Sequence, residues 1–232
     1  MLNYNTRPTA TSKDIFLTTA LRPSGIFGER DVQAIPPMLK VARDGRTGFQ
    51  LGSNTNLFDW TYVGNVAHAH VLAAAKLLEL VKEYEKTPPP PPLKPGEEGT
   101  LADIQIDGEQ FIITNQSPIP FWDFARRIWV VYTENSPLHP PPAKGLGYWQ
   151  IPEELAIFLG TIIATIYSVF KLGQPRLSPT VVRVSTLPRY YRTTKARTVL
   201  GYTPIYTVSE GVERSVKWFC EQERLEMSKK GQ

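Results

Sequence analysis

A run of apolar and β-branched residues near the start of the chain constrains the fold most strongly. Residues 15–23 read IFLTTALRP, with no alternation of polar and apolar side chains, and Gly25 follows them. Continuous runs of this kind are typical of strands buried on both faces of a parallel sheet, which helices cover on both sides. The sequence therefore predicts an α/β fold in which Ile15 to Leu21 form a buried strand.

Further predicted helices and strands follow this run. DVQAIPPMLKVARDG predicts a short helix, because Pro36 and Pro37 suit a first turn and Gly45 stands beyond its end. GFQLGSNTNLFDWTYV predicts a hairpin that turns at Gly52. Asn65 can cap the Ala- and Leu-rich helix that comes next. Together these patterns predict a sheet with helices packed on it.

Proline-rich segments divide the rest of the chain. Residues 87–100 include five consecutive prolines, which cannot donate hydrogen bonds to a sheet, so we expect an extended linker there. EQFIITN predicts a short strand, PFWDFARRIWVVY an amphipathic helix, and SEGVERSVKWFCEQERL a closing helix capped by Ser209. We therefore predict a sheet portion at 1–86, and at 101–232 the last sheet strand followed by a mainly helical lobe.

Charge and cysteine content argue against several classes of protein. The net charge is +4 and the pI about 9.1, but the most compact basic cluster, RYYRTTKAR, comes without a motif that reads nucleic acid. The single cysteine, Cys220, excludes an intramolecular disulfide framework. His68 and His70 are two residues apart on a predicted helix and so point to different faces. We expect neither nucleic-acid binding nor a metal site.

Leu155 to Phe170 form a segment of sixteen residues without a charge. As a helix it would be about 24 Å long at about 1.5 Å per residue, shorter than the roughly 30 Å hydrocarbon core of a bilayer. Apolar residues all round it are unlike an ordinary surface helix. Three interpretations stay open: a helix in or dipping into a membrane surface, a helix in a protein core, and a true membrane span. Its length argues against the span.

Motifs of nucleotide chemistry are sparse. No G-x-G-x-x-G, Walker or G-x-S-x-G motif occurs in the chain. Tyr191 and Lys195 form a Y-x-x-x-K pair, a spacing that would place a phenol and an ammonium group one helical turn apart. A lysine beside a tyrosine can lower the pKa of the phenol, which then takes the proton of a substrate hydroxyl. The spacing alone does not decide whether this pair is catalytic.

Four phrases, taken in order, resemble the C-terminal part of an extended short-chain dehydrogenase/reductase, and in particular the 3β-hydroxysteroid dehydrogenase family. They are TALRPSGIFGERD, LFDWTYVGNVAHAHVLAAAKLL, EQFIITN followed by PFWDFARRIW, and KARTVLGYTPIYTVSEGVERSVKWF. The resemblance covers most of residues 15–220. It implies the C-terminal part of a Rossmann-type parallel sheet with a mainly helical substrate-binding lobe, without the N-terminal dinucleotide-binding strands.

The resemblance also implies where ligands bind. The residues implied to lie against the nicotinamide of NAD or NADP are Pro23, Ser24, Gly25 and Ile26. Tyr62 and Asn65 are implied to face the same crevice and to contact the sterol substrate. The family's Y-x-x-x-K stands before the LRPSGIFG strand, whereas Tyr191 and Lys195 stand far behind it. We therefore assign no catalytic residue in this chain.

A complete member of this family, by the same resemblance, oxidises the 3β-hydroxyl of a steroid or a 4-carboxysterol with NAD or NADP, and the resulting β-keto acid loses carbon dioxide. We expect this chain to be a fragment of such an enzyme, inactive alone. We further expect it at the cytosolic face of the endoplasmic reticulum membrane, bound through 155–170, where other sterol-pathway enzymes are possible partners.

Two other functions stay open from the sequence. One is a non-enzymatic, membrane-associated protein that binds sterol or serves as a scaffold. The other is a nucleotide-sugar epimerase or a dihydroflavonol-type reductase of the same superfamily. The uncharged segment argues against the second, because a soluble sugar enzyme has no use for it.

Overall fold

The computed structural model describes residues 15–87, 104–141, 148–173, 175 and 177–230. In this part of the chain the strands are β1 (Ala20–Pro23), β2 (Gly25–Phe27), β3 (Phe49–Leu51), β4 (Leu57–Phe58), β5 (Trp60–Tyr62), β6 (Gln110–Ile113), β7 (Ile119–Pro120) and β8 (Trp149–Ile151). The helices are α1 (Ile35–Arg43), α2 (Val63–Tyr84), α3 (Phe121–Asn135), α4 (Glu153–Val169), α5 (Pro179–Thr186), α6 (Thr194–Leu200) and α7 (Val208–Lys230). The alternation of strands and helices confirms the predicted α/β class.

Two compact units share these elements. The first, here called the sheet unit, consists of Met1–Ile26, Thr61–Gln116 and Tyr191–Thr207. The second, the helical unit, consists of Phe27–Trp60, Ser117–Tyr190 and Val208–Gln232. The predicted linker at 87–100 lies almost entirely outside the described residues. The linker and the domain boundaries drawn from it therefore stay predictions.

The sheet unit is built on a parallel pair of strands. β1 and β6 run side by side, with Ala20 opposite Gln110 and Pro23 opposite Ile113. The first strand was predicted at Ile15 to Leu21 and buried on both faces, and both details are wrong. The strand begins at Ala20, and its side chains are at most half-buried, because β6 is the strand paired with it in the described chain. The core of the unit consists of Ala69, Ala73, Leu80, Tyr84, Ile106, Phe111, Ile113, Ala196, Leu200 and Tyr202.

The predicted hairpin at Gly52 does not form. β3 pairs in parallel with β8, β4 pairs antiparallel with β7, and β2 pairs with β5. The amide of Gly52 donates to the carbonyl of Ile151 at 2.9 Å, which extends the pairing with β8. The side chain of Asn54 accepts from the Trp122 amide at 2.8 Å and donates to Asp123 at 2.9 Å. The chain after β3 is therefore tied to the first turn of α3 instead of turning back on β3.

The helical unit contains α1, α3 and α7, and most of their predicted features are confirmed. α1 carries prolines in its first turn and ends before Gly45, whose φ is +66°. The carboxylate of Asp31 accepts from the amide of Ile35 at 2.8 Å, so it caps the helix start, a role that the sequence reading missed. Cys220 is buried in α7, and Ser209 lies inside this helix instead of capping it.

The uncharged segment is a helix, as predicted, but it is not a core helix within the described chain. α4 buries Ala156 and Gly160, and a Cβ on Gly160 would lie 3.1 Å from the backbone of Ser178. The apolar side chains that α4 exposes are Leu155, Phe158, Leu159, Ile162, Ile166 and Val169. Among the described residues no helix is both long and apolar enough to cross a bilayer.

Candidate functional site

The sheet unit brings distant chain segments together where β1 and β6 end. Because the strands are parallel, their carboxyl ends meet at one edge, which is where ligands bind in open α/β sheets. The carbonyl of Ile113 accepts from the Ser24 amide at 3.0 Å and from Oγ1 of Thr61 at 3.2 Å. The exit of β1, the middle of β5 and the end of β6 are thus joined at one carbonyl group.

Asn65 lies completely buried beside this edge and uses its whole hydrogen-bonding capacity within the protein. Its Nδ2 donates to Oδ1 of Asn115 at 2.9 Å and to the carbonyl of Tyr206 at 2.8 Å. Its Oδ1 accepts from the amides of Ile205 at 2.9 Å and Tyr206 at 3.0 Å. The Asn65 carboxamide therefore joins α2 to the loop that follows α6.

Asn115 completes this arrangement from the end of β6. Its Oδ1 accepts from the Tyr62 amide at 2.9 Å as well as from Asn65. Its Nδ2 donates to the carbonyl of Tyr206 at 3.0 Å. We call Asn65 and Asn115, with the backbone groups of Tyr62, Ile205 and Tyr206, the asparagine clamp. It connects three segments that are about 50 to 140 residues apart in sequence.

Tyr202 fixes Thr114, the residue between β6 and Asn115. The ring is fully buried, and its Oη donates to the carbonyl of Thr114 at 2.9 Å. Burial raises the pKa of Tyr202 far above the usual range of a phenol, so the hydroxyl stays protonated as a donor. Gln116 has a left-handed backbone with φ of 53°, and its amide donates to Oγ1 of Thr114 at 2.9 Å. The turn after β6 is therefore fixed on both sides of Asn115.

The first turn of α2 comes close to two tyrosine rings because residue 64 is glycine. A Cβ on Gly64 would lie 2.7 Å from Cε1 of Tyr62 and 3.0 Å from Cε2 of Tyr206. The two rings pack edge to face with centroids 5.2 Å apart. A side chain at this position would have to displace one of them.

The structure places every predicted ligand-contacting residue near this edge. Pro23, Ser24 and Gly25 are half-buried, and the apolar side chain of Ile26 is 45% exposed. Tyr62 and Asn65 are buried. The capping role expected for Asn65 is wrong, because α2 begins at Val63 and Asn65 lies inside its first turn. Contact of Tyr62 and Asn65 with a substrate stays a prediction.

The Y-x-x-x-K pair does not have the geometry that its spacing suggested. Tyr191 precedes α6, so it does not share a helix with Lys195, and Nζ of Lys195 pairs with the carboxylate of Glu109. The same pattern occurs at Tyr167 and Lys171, a match that the sequence reading overlooked. Lys171 lies beyond the end of α4 with a left-handed backbone. Neither pair therefore lies on a single helix.

Three residues of this arrangement were not predicted from the sequence: Asn115, Tyr202 and Tyr206. A polar residue directly after the apolar run FII is the one signal that could have drawn attention to Asn115. Within the described ranges, no group of three or more His, Cys, Asp or Glu side chains could hold a metal ion.

A parallel strand pair whose carboxyl ends meet beside a helix start is a feature of Rossmann-like α/β proteins. The fold is similar to that of a solved human structure, epimerase family protein SDR39U1 (isoform 2) with NADPH, at a TM-score of 0.50 and 12% identity, covering 89% of this chain and 50% of that chain. Sequence comparison is more specific. The chain belongs to the 3-beta hydroxysteroid dehydrogenase/isomerase family, whose profile matches residues 1–137. The predicted family is thereby confirmed.

Two relatives illustrate the match. The chain is 38% identical over 210 residues to sterol-4-alpha-carboxylate 3-dehydrogenase ERG26, decarboxylating, of Saccharomyces cerevisiae, covering 89% of this chain and 50% of the relative. It is 35% identical over 210 residues to the Homo sapiens sterol-4-alpha-carboxylate 3-dehydrogenase, decarboxylating, covering 90% of this chain and 48% of the relative. The chain spans about half the length of the curated relatives that it matches.

Proposed function

We propose that this chain forms the nicotinamide-side and substrate-side part of an NAD(P)-dependent dehydrogenase that oxidises the 3β-hydroxyl of a 4-carboxysterol. The observation that carries this proposal is the similarity to sterol-4-alpha-carboxylate 3-dehydrogenases along about nine tenths of the chain. The geometry supports it, because the residues predicted to face nicotinamide lie at the carboxyl edge of a parallel strand pair.

The residues at this edge fit the nicotinamide end of the cofactor. Pro23 and Ile26 offer apolar surface to a flat ring, and Gly25 between them carries no side chain that would keep the ring away. The bound nicotinamide would supply the acceptor for a hydride. Because no G-x-G-x-x-G run occurs in the sequence, we assign no residue of this chain to the pyrophosphate.

The proposed oxidation removes a proton and a hydride from the sterol. The hydroxyl proton would pass to a base and the hydride from C3 of the sterol to the bound nicotinamide, so that C3 becomes a ketone. The carboxylate on the neighbouring carbon is then part of a β-keto acid, which releases carbon dioxide and takes up a proton at the carbon left behind. Tyr191 and Lys195 do not share a helix, and Lys195 pairs with Glu109. We therefore propose that the 232 residues alone do not carry out the proton transfer.

A fusion protein tests this function. The first half of the Saccharomyces cerevisiae relative is joined to this chain, and both the fusion and the chain alone are incubated with NAD+ or NADP+ and a 4-carboxysterol. We expect the fusion to release carbon dioxide and a 3-ketosterol, detected by mass spectrometry, and the chain alone to release neither. Turnover by the chain alone would contradict its proposed inactivity. A fusion that binds neither sterol nor nucleotide, or that converts a nucleotide sugar, would overturn the assigned substrate.

We also propose that α4 holds the protein at a membrane surface, with the cytosolic face of the endoplasmic reticulum as the expected site. Its exposed side chains are aliphatic or aromatic along one face, and each that becomes buried in lipid contributes about 1.5–3 kcal/mol. Thr161 and Thr165 point their hydroxyl groups back to the carbonyls four residues earlier, at 2.8 Å and 2.9 Å. These hydroxyls need no water, which suits an apolar environment.

Flotation with liposomes tests the membrane proposal. Phe158→Asp places a charge on the exposed face of α4, whereas Val71→Asp places one on α2 at a residue of similar exposure, 67% against 61%. We expect the unchanged chain and Val71→Asp to float with the liposomes and Phe158→Asp to stay behind. A chain that never floats overturns the proposal. Sterol binding without nucleotide binding by the fusion would favour the non-enzymatic scaffold.

A further inference from the structure

The asparagine clamp lies two residues beyond Ile113, whose carbonyl accepts the amide of Ser24 in the segment that the proposed function places against nicotinamide. We propose that Asn65 and Asn115 are positioning residues for this segment, an inference that rests on the proposed function. Through Asn115 they fix the end of β6, and through the carbonyl of Ile113 they fix the backbone of Ser24. Neither asparagine needs to touch the cofactor for this role.

The path from the clamp to the strand exit is short. Asn115 stands two residues after Ile113, and its carboxamide is held on both sides, by the Tyr62 amide at 2.9 Å and the Tyr206 carbonyl at 3.0 Å. The Ile113 carbonyl lies at the end of β6, close to this anchor, and accepts both Oγ1 of Thr61 at 3.2 Å and the Ser24 amide at 3.0 Å. Ser24 stands between β1, which pairs with β6, and β2, which pairs with β5, so this hydrogen bond ties the exit of β1 to the end of β6.

The chemistry of the partners explains why both residues are asparagine. Asn65 donates two hydrogen bonds and accepts two, and only a carboxamide offers both capacities on one short side chain. An ionised aspartate at Asn115 could still accept from Tyr62 and Asn65, but it could not donate to the Tyr206 carbonyl. An apolar residue at position 115 would remove the hydrogen bonds to Tyr62, Asn65 and Tyr206 together.

This difference between amide and acid provides the test. In Asn115→Asp a protonated carboxyl group keeps one donor and one acceptor, whereas the ionised group repels the Tyr206 carbonyl. Burial and this carbonyl raise the pKa of the introduced carboxyl above its usual value of about 4, against the hydrogen bonds from Tyr62 and Asn65, which favour the ionised form. The hydrogen-bond partners of Asn115 are two backbone groups and the Asn65 carboxamide, none of which titrates between about pH 5 and pH 8.

Amide hydrogen exchange measures the effect directly in the full chain. We expect the protection factor of the Ser24 amide in Asn115→Asp to match the unchanged chain near pH 5 and to fall about tenfold near pH 8. The matched control is Asn56→Asp in the helical unit, where Nδ2 of the buried Asn56 side chain donates to the Ser185 carbonyl at 3.0 Å. This variant should leave Ser24 unchanged. Unaltered protection of Ser24 in Asn115→Asp, or an equal loss at both pH values, would overturn the positioning role.

Kinetics of the active fusion give the second readout. Asn115→Asp should raise the KM for NAD+ or NADP+ about tenfold near pH 8, and near pH 5 this KM should return towards the value of the unchanged fusion. A uniform loss of kcat at every pH would contradict positioning. If the fusion shows no turnover at all, the proposed function fails, but the exchange experiment still decides whether the clamp fixes Ser24.

Discussion

Replacing Tyr202 by phenylalanine removes a single hydroxyl group from the core of the sheet unit. Tyr202 has no exposed surface, and its Oη donates to the Thr114 carbonyl at 2.9 Å. The variant keeps the ring and its packing but leaves this buried carbonyl without the phenol. We expect the free energy of unfolding to fall by about 1–3 kcal/mol at pH 7, the usual cost of such a loss. For a chain of this size, that lowers Tm by about 2–4 °C per kcal/mol.

The same substitution also makes the stability of the chain less sensitive to high pH. Burial raises the pKa of Tyr202 above the value of about 10 that a phenol has in the unfolded chain. Above pH 10 the unfolded chain therefore loses this proton while the folded chain keeps it. The contribution of this raised pKa to the free energy of unfolding is fully present below pH 10. Above pH 10 it falls by at most about 1.4 kcal/mol per pH unit. Phenylalanine does not titrate, so Tyr202→Phe escapes this loss.

Urea unfolding followed by circular dichroism at pH 7 and pH 11 measures both effects. The deficit of Tyr202→Phe should be present at pH 7 and become smaller at pH 11. Tyr190→Phe is the matched control, because Tyr190 is exposed and its loss of a hydroxyl should change stability little at either pH. Equal stability of Tyr202→Phe and the unchanged chain at pH 7, or a deficit that grows at pH 11, would refute the reasoning.

Three further predictions concern single residues. Gly64→Ala should lower Tm in thermal unfolding. Overpacking against the two tyrosine rings costs about 1–3 kcal/mol, which exceeds the roughly 1 kcal/mol that alanine gains in a helix. A higher Tm would contradict the close contact. Burial raises the pKa of the Cys220 thiol to about 11. Iodoacetamide at pH 8 should therefore not label this thiol in the native chain but should label it after unfolding, and mass spectrometry detects the difference. The carboxylate of Glu223 accepts from Oη of Tyr132 at 2.7 Å. Glu223→Gln should therefore lower the free energy of unfolding in urea by about 1–3 kcal/mol. Glu226→Gln, on the exposed face of α7, should change it little.

Elements whose signals are local could be predicted from the sequence. The prolines of α1, the apolar periodicity of α3 and the uncharged run of α4 each act within one or two helical turns, and these helices form where expected. Strand pairing could not be predicted in the same way. Gly52 stands in a sequence that suits a hairpin, but its amide pairs with Ile151, about a hundred residues away. Such a partner leaves no mark in the local pattern.

The candidate site shows the same division. The family resemblance pointed to Pro23 through Ile26 and to Tyr62 and Asn65, which the structure places in one unit. It did not reveal what Asn65 does, since its partners lie 50 and about 140 residues further along the chain. Tyr202 and Thr114, 88 residues apart, are likewise an ordinary tyrosine and threonine until the fold joins them.

The assembly of the sheet unit from three separated segments has a consequence for synthesis on the ribosome. β1 is complete at Pro23, but its partner β6 ends at Ile113. At about 5–20 residues per second, the first strand emerges roughly 5–18 s before the second. The loop after α6 that closes the asparagine clamp follows another ninety residues later. During this interval β1 lacks this partner, so its edge can pair with other chains, and a chaperone that holds nascent strands would protect the folding of this unit.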